Sequence, residues 1–126
     1  MSSTVLDEYY RTLQELYNAT LNLLIRLERR ELVEALEIQR SSQPLIERAE
    51  ALLDEVSQRS SGLSEKERKS VEDAISLHYR IELLSQQCQQ MIKSYMQELK
   101  EKMSQLHGVR KLVESQRDVP AHIVHI

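Results

Sequence analysis

The chain has 126 residues and a net charge of −3, with acidic and basic side chains interspersed along it. Its two Gly, two Pro and lack of Phe and Trp disfavour turn-rich β architectures, which need more chain breakers and more β-branched residues. No basic stretch is present to bind nucleic acid or an anionic lipid surface. We therefore expect one all-α domain over residues 1–126, with a helical bundle over residues 5–106 and a C-terminal part over residues 107–126.

The first two helices are predicted by apolar residues that recur in steps of three and four. Helix one should span residues 5–29 and helix two residues 32–58, with a tight charged corner around residues 28–31. Pro44 lies within helix two, where we expect a kink and not a break, because the apolar spacing keeps its phase across it. The predicted core positions are Leu6, Tyr9, Leu13, Leu16, Thr20, Leu23, Leu27, Ala35, Ile38, Ser42, Leu45, Ala49, Leu52 and Val56.

Helix three should begin near Ser64, because Ser64 followed by Glu67 forms a capping-box pattern after a polar loop at residues 57–62. Gly108 is the expected end, and a short fourth helix is expected over residues 109–116. Together these elements predict an antiparallel three-helix bundle with a long third helix and a short C-terminal fourth helix. The predicted inner stripe of helix three contains Val71, Ile75, His78, Ile81, Leu84, Cys88, Met91, Tyr95, Leu99, Met103 and Leu106.

The predicted helix lengths are unequal, since at about 1.5 Å per residue helix three is much longer than either partner. About ten residues at its end, from Tyr95 to Leu106, should lack a partner from the first two helices. An apolar stripe of that size needs cover. Two alternatives follow: the chain folds back at Gly108 as a masking helix, or another molecule covers the stripe. The masking helix would use Val109, Leu112 and Val113.

Catalytic and metal-binding patterns are absent from the sequence. His122 and His125 would need further ligands to hold a metal, and Cys88 lies among glutamines instead of cations. The carboxylates alternate with Lys and Arg, as on solvated helix faces. We expect no enzyme activity, no metal and no cofactor, so the function should be binding.

Membrane insertion is not expected, because no run approaches the roughly 18 apolar residues of a span. The N-terminus lacks the pattern of a signal peptide, and the one cysteine cannot form an internal disulfide. These features favour a cytoplasmic protein.

A partner should dock as an amphipathic helix or an extended apolar segment. The alternative for the same residues is that they widen the bundle core. The candidate partner-binding positions are Leu36, Ile46, Leu53, Ile92, Tyr95, Met96, Leu99, Met103 and Leu106.

The segment from Leu36 to Ala49, LEIQRSSQPLIERA, resembles the second helix of the flagellar type III export chaperones of the FliT family. The resemblance extends loosely over residues 5–115 through helix lengths. It implies a cytoplasmic chaperone that holds the C-terminal segment of a filament-cap protein and docks to the export ATPase and export-gate proteins. It also implies a movable last helix that covers the client groove, corresponding to residues 109–116. The related FlgN-type chaperones are a variant of this interpretation.

The alternative interpretation is a generic helical interaction domain. Such a coiled-coil adaptor or scaffold subunit would form a homodimer through helix three, using the same long apolar stripe.

Overall fold

The structure is a computed structural model that describes the backbone of residues 2–59 and 62–124 and the side chains of residues 4–59 and 62–115. The described part of the chain is all-helical, as predicted, and contains three helices and no strand: α1 Ser2–Glu28, α2 Leu32–Gln58 and α3 Glu65–Val124. None of the described helices is long and apolar enough to cross a membrane. The chain divides into two units, residues 1–91 and residues 92–126, which are described separately below.

The corner between α1 and α2 is closed by a backbone hydrogen-bond pair typical of helix C-termini. The Glu31 N–H donates to the Arg26 carbonyl at 2.9 Å, and the Arg30 N–H donates to the Leu27 carbonyl at 3.0 Å. Arg30 adopts a positive φ of 59°, the position where such a motif usually has Gly. An ion pair between Arg26 and Glu31 spans the same corner. The predicted corner at residues 28–31 is confirmed.

Helix α2 begins and ends where the sequence predicted, and it continues through Pro44 as one helix. Pro44 has no N–H to donate to the preceding turn. The hydroxyls of Ser41 and Ser42 donate to the Ile38 carbonyl at 3.1 and 2.7 Å. Both hydroxyls therefore have an acceptor within the turn before Pro44. Ser42 stays buried, and the helix continues past the proline.

Helix α2 runs antiparallel to α1 in the first unit. An ion pair joins Arg48 to Glu8 far from the corner, which places the second half of α2 beside the start of α1. The Cys88 thiol contacts the Thr20 carbonyl at 3.8 Å, and Leu6 shares a surface recess with Ser70. The first part of α3 therefore runs in the direction of α1 and antiparallel to α2, as expected for a three-helix bundle.

Most of the core of the first unit is built from positions that the three apolar stripes predicted, and buried Thr12 and Ala74 are added to them. Buried Thr12 and Thr20 satisfy their hydroxyls by donating to the carbonyls four residues earlier, at 2.8 and 2.7 Å. Half-buried Leu45, Val56 and Leu77 pack against the edge of the core. The buried cluster consists of Tyr9, Leu13, Leu16, Ala49, Leu52, Ala74 and Ile81.

Within the first unit, one core position of α3 was predicted wrongly. Ile75 is 59% exposed, whereas Ala74 is 2% exposed and belongs to the buried cluster. Ala74 lies seven residues before Ile81 and therefore on the same face of the helix. A small residue permits close helix packing at this point, and the greater hydrophobicity of Ile75 obscured it in the sequence.

The start of α3 confirms the capping box. The Glu67 N–H donates to Ser64 Oγ at 3.2 Å, and the Ser64 N–H donates to Glu67 Oε1 at 3.3 Å. Each side chain thus satisfies a backbone donor at the helix start. Of the loop that precedes it, Ser60 and Ser61 lie outside the described residues.

The predicted end of the third helix at Leu106 and the separate fourth helix at residues 109–116 are not seen in the described part of the chain. Residues 107–116 belong to α3. Of the two glycines, Gly62 has a positive φ, whereas Gly108 is part of the helix. A Gly in a helix interior costs only about 1 kcal/mol relative to Ala. The helix formers around Gly108 outweigh this cost. His125 and the end of the predicted apolar tail lie outside the described residues.

Candidate protein-binding surface

The second unit presents a row of apolar side chains on one face of α3. They follow one another in steps of three and four residues, which places them on one side of a helix. Each is between 43% and 66% exposed. We call this row the C-terminal stripe and define it as Met96, Leu99, Met103, Leu106, Val109 and Val113.

The described residues do not show the predicted masking of this stripe by a folded-back helix. Val109, Leu112 and Val113 lie in α3, and all three are themselves exposed. Instead of covering the predicted stripe, Val109 and Val113 lengthen it by two turns. Of the two alternatives left by the sequence, cover by another molecule is the one compatible with this arrangement.

The remaining candidate residues of the second unit, Ile92 and Tyr95, are half-buried. Lys93, Lys100 and Lys102 are exposed between the apolar positions. Long basic side chains can lie along apolar surface with their charges in water. Exposed Glu101 and Glu114 lie on the same segment, so the stripe is an apolar strip with mixed, mainly basic edges, suited to contact with an amphipathic helix.

The candidate residues of the first unit have different environments. Leu36 is 62% exposed, but Ile46 is half-buried and packs against the core cluster. Leu53 is 37% exposed, which is between the exposures of Leu36 and Ile46. Ile46 therefore widens the core, which was the alternative interpretation, while Leu36 faces solvent.

Two exposed features of the first unit were missed by the sequence reasoning. Leu32 and Val33 precede Leu36 on α2, and both are exposed; an apolar pair at a helix start was a usable signal. The second feature is a groove of about 440 Å³ between α1 and α3. Apolar and amide side chains line it in roughly equal measure: Tyr17, Arg80, Leu83, Leu84, Gln86, Gln87 and Gln90.

His78 is a half-exposed residue at the core edge, as predicted. Its Nε2 lies 3.1 Å from Glu82 Oε1 one turn later, so Nε2–H donates to the carboxylate. Its Nδ1 is buried without a hydrogen-bond partner in the described part of the chain. One carboxylate on the same helix gives no acid–base pair directed at a substrate pocket.

Cys88 is a buried side chain, in agreement with the sequence interpretation. Burial raises the pKa of its thiol, because desolvation disfavours the thiolate. The thiolate is the nucleophilic form, so this environment disfavours covalent chemistry. Cys88 acts as a small apolar residue of the α1–α3 contact.

Metal binding has no candidate cluster among the described residues, since no group of three or more His, Cys, Asp or Glu side chains comes together there. The side chains of His122 and His125 lie outside the described part. Glu34, Glu37 and Glu47 are exposed, as expected for solvated helix faces.

Comparisons with known proteins found no counterpart. No protein-family model matches the chain, and no curated protein or solved structure matches it. The functional argument therefore depends on the surfaces described above, of which the C-terminal stripe is the most extended.

Proposed function

We propose that this protein is a helical binding module that holds an apolar segment of another protein on its C-terminal stripe. The observation that carries the proposal is the exposure of six apolar side chains in helical register. The most extended exposed apolar patch of a protein is often a functional site. A helix with such a face binds a second amphipathic helix by alignment of the two apolar faces.

The composition of the stripe supports a client with a variable sequence. Met96 and Met103 are both exposed on it. Methionine is flexible and polarizable, so it adapts to side chains of different shape. The lysines beside the stripe favour a client segment with acidic flanks, since opposite charges align the two partners.

We further propose that the module is an export chaperone of the FliT kind. Its client would be the C-terminal segment of a flagellar filament-cap protein, which it would deliver in the cytoplasm to the export ATPase and export-gate proteins. Support comes from the resemblance of residues 36–49 and from the all-helical fold. The movable lid implied by that resemblance is not part of the proposal, because residues 109–115 form part of the stripe itself or its helix.

We propose no catalytic activity. The one thiol is buried, and the Glu8, Glu31 and Glu82 carboxylates are engaged by Arg48, Arg26 and His78 respectively.

Client binding should depend on the apolar character of Met96. We expect Met96→Glu to weaken binding of a labelled synthetic peptide, taken from the C-terminal segment of a filament-cap protein, by about tenfold or more. The reason is that docking would desolvate the new carboxylate. Fluorescence anisotropy measures the affinity, and urea unfolding should change by no more than about 0.5 kcal/mol, because Met96 is 66% exposed.

Ser94→Glu is the matched control, since it adds the same charge to an exposed position two residues away and off the stripe. It should leave the affinity unchanged. Equal losses in both variants would indicate a general charge effect, and unchanged binding by Met96→Glu would remove the stripe from the client site.

A further inference from the structure

We propose that a second copy of this chain covers the C-terminal stripe when no client is bound, and that the two α3 helices pair antiparallel over residues 92–115. Such a face can be covered by a fold-back of the chain, which the described residues do not show, or by a partner. The choice of a second copy follows from the register, the charges and the area of the stripe.

The register is that of a coiled coil. The positions of the seam follow one another in alternating steps of four and three residues, which is a heptad repeat. They are Ile92, Met96, Leu99, Met103, Leu106, Arg110 and Val113. Met96 and Met103 occupy one seam position, called a, and Leu99, Leu106 and Val113 occupy the other, called d. Only Arg110 breaks the apolar pattern, at an a position.

Arg110 decides between the two orientations. In a parallel pair, equivalent a positions face one another, so Arg110 would meet the same cation of the other copy inside the seam. In an antiparallel pair, a positions face d positions, and Arg110 lies against Leu99. Its stem can then cover the leucine while the guanidinium reaches water. The antiparallel orientation also places Met103 against Leu106 and Met96 against Val113.

The flanking charges support the same orientation. The antiparallel register that aligns Met103 with Leu106 brings Lys93 of each copy beside Glu114 of the other. Both side chains are exposed, and two-fold symmetry forms this opposite-charge pair twice. The parallel register instead sets Lys102 beside His107 and leaves Glu114 beside Val109, without an ion pair. The antiparallel register also sets Lys100 beside His107, so the Lys93–Glu114 ion pair is the charge contact that distinguishes the two orientations and favours the antiparallel pair.

The area is that of a weak, specific dimer. A fully exposed Met, Leu or Val side chain offers on the order of 100 Å² of apolar surface. With the fractional exposures of its six side chains, the C-terminal stripe therefore presents roughly 350 Å² of apolar surface per copy. Two copies together with their polar flanks would bury roughly 1,200 Å². That value lies at the lower edge of specific interfaces, so we expect a weak dimer that dissociates on dilution.

Such pairing would store the stripe in a closed form that a client helix can replace, because both use the same apolar positions. This regulatory consequence rests on the proposed function. The pairing itself does not, since it can be measured without any client.

Sedimentation velocity of the full chain over a concentration series tests the pairing. We expect a concentration-dependent dimer and expect Leu99→Glu to raise the dissociation constant at least about a hundredfold, because each copy would place a carboxylate in the seam. Ser94→Glu should leave dimerisation unchanged. A chain that is monomeric at roughly 100 μM, or a dimer unaffected by Leu99→Glu, overturns the proposal.

Disulfide cross-linking tests the orientation, on a Cys88→Ala background that removes the native thiol. Oxidation of a mixture of Leu99→Cys and Arg110→Cys chains should give the mixed dimer, because these positions face one another in the antiparallel register. Leu99→Cys alone should not cross-link, since its two copies would lie about 16 Å apart along the helix. Self-cross-linking of Leu99→Cys, or no mixed dimer, contradicts the antiparallel pair. Because no client is present, these outcomes are independent of client binding.

Discussion

Leu13→Ala should destabilise the first unit by about 2–5 kcal/mol, the usual cost of leaving a cavity at a fully buried leucine. Leu13 has no exposed surface and lies at the centre of the cluster shared by α1, α2 and α3. Urea unfolding followed by circular dichroism measures the loss. The change should lower the midpoint while helical content before the transition stays the same.

Leu36→Ala is the matched control, because it makes the same substitution at a leucine that is 62% exposed. It should change the free energy of unfolding by no more than about 0.5 kcal/mol. Equal losses from Leu13→Ala and Leu36→Ala would contradict the packing of the bundle described here.

Ending the chain at His107 should weaken client binding by roughly 10- to 100-fold, because it removes Val109 and Val113 from the C-terminal stripe. A masking helix would give the opposite result, since its removal would uncover the groove and raise the affinity. The anisotropy titration with the filament-cap peptide distinguishes the two directions.

A chain ending at Ser115 is the control for this truncation, because it shortens the terminus and keeps the whole stripe. It should bind the peptide as the full chain does. If the chain ending at His107 bound more tightly than the full chain, the continuous stripe would have to be replaced by the lid mechanism.

Much of the fold was predictable from local signals. The steps of three and four residues identified α1 and α2, and the capping box of Ser64 and Glu67 identified the start of α3. Two features escaped because their causes are not local. Ala74 is buried where helices approach closely, a demand of tertiary packing that hydrophobicity does not reveal. Gly108 stays helical because a modest propensity penalty is outweighed by its neighbours.

The candidate surface was predictable in part. Period alone identified Leu99, Met103 and Leu106 as one face, with Met96 as a candidate binding position beside it, but exposure depends on where the chain goes next. A helix end at Gly108 would have covered them, whereas the continued helix adds Val109 and Val113 to the same face. Ile46 is the opposite case, a predicted binding residue that belongs to the core. Its position beside the stripe of α2 did not reveal that it packs against the core cluster.

The most direct measurement of the central claim, that another helix binds on the C-terminal stripe, is an NMR spectrum of the chain with ¹³C-labelled methionine methyl groups. Met96 and Met103 lie on the stripe, while half-buried Met91 lies outside it and serves as an internal reference. Saturation with the filament-cap peptide should shift or broaden the Met96 and Met103 methyl signals and leave the Met91 signal in place. A bound peptide that perturbs Met91 while the Met96 and Met103 signals stay unchanged would contradict the claim.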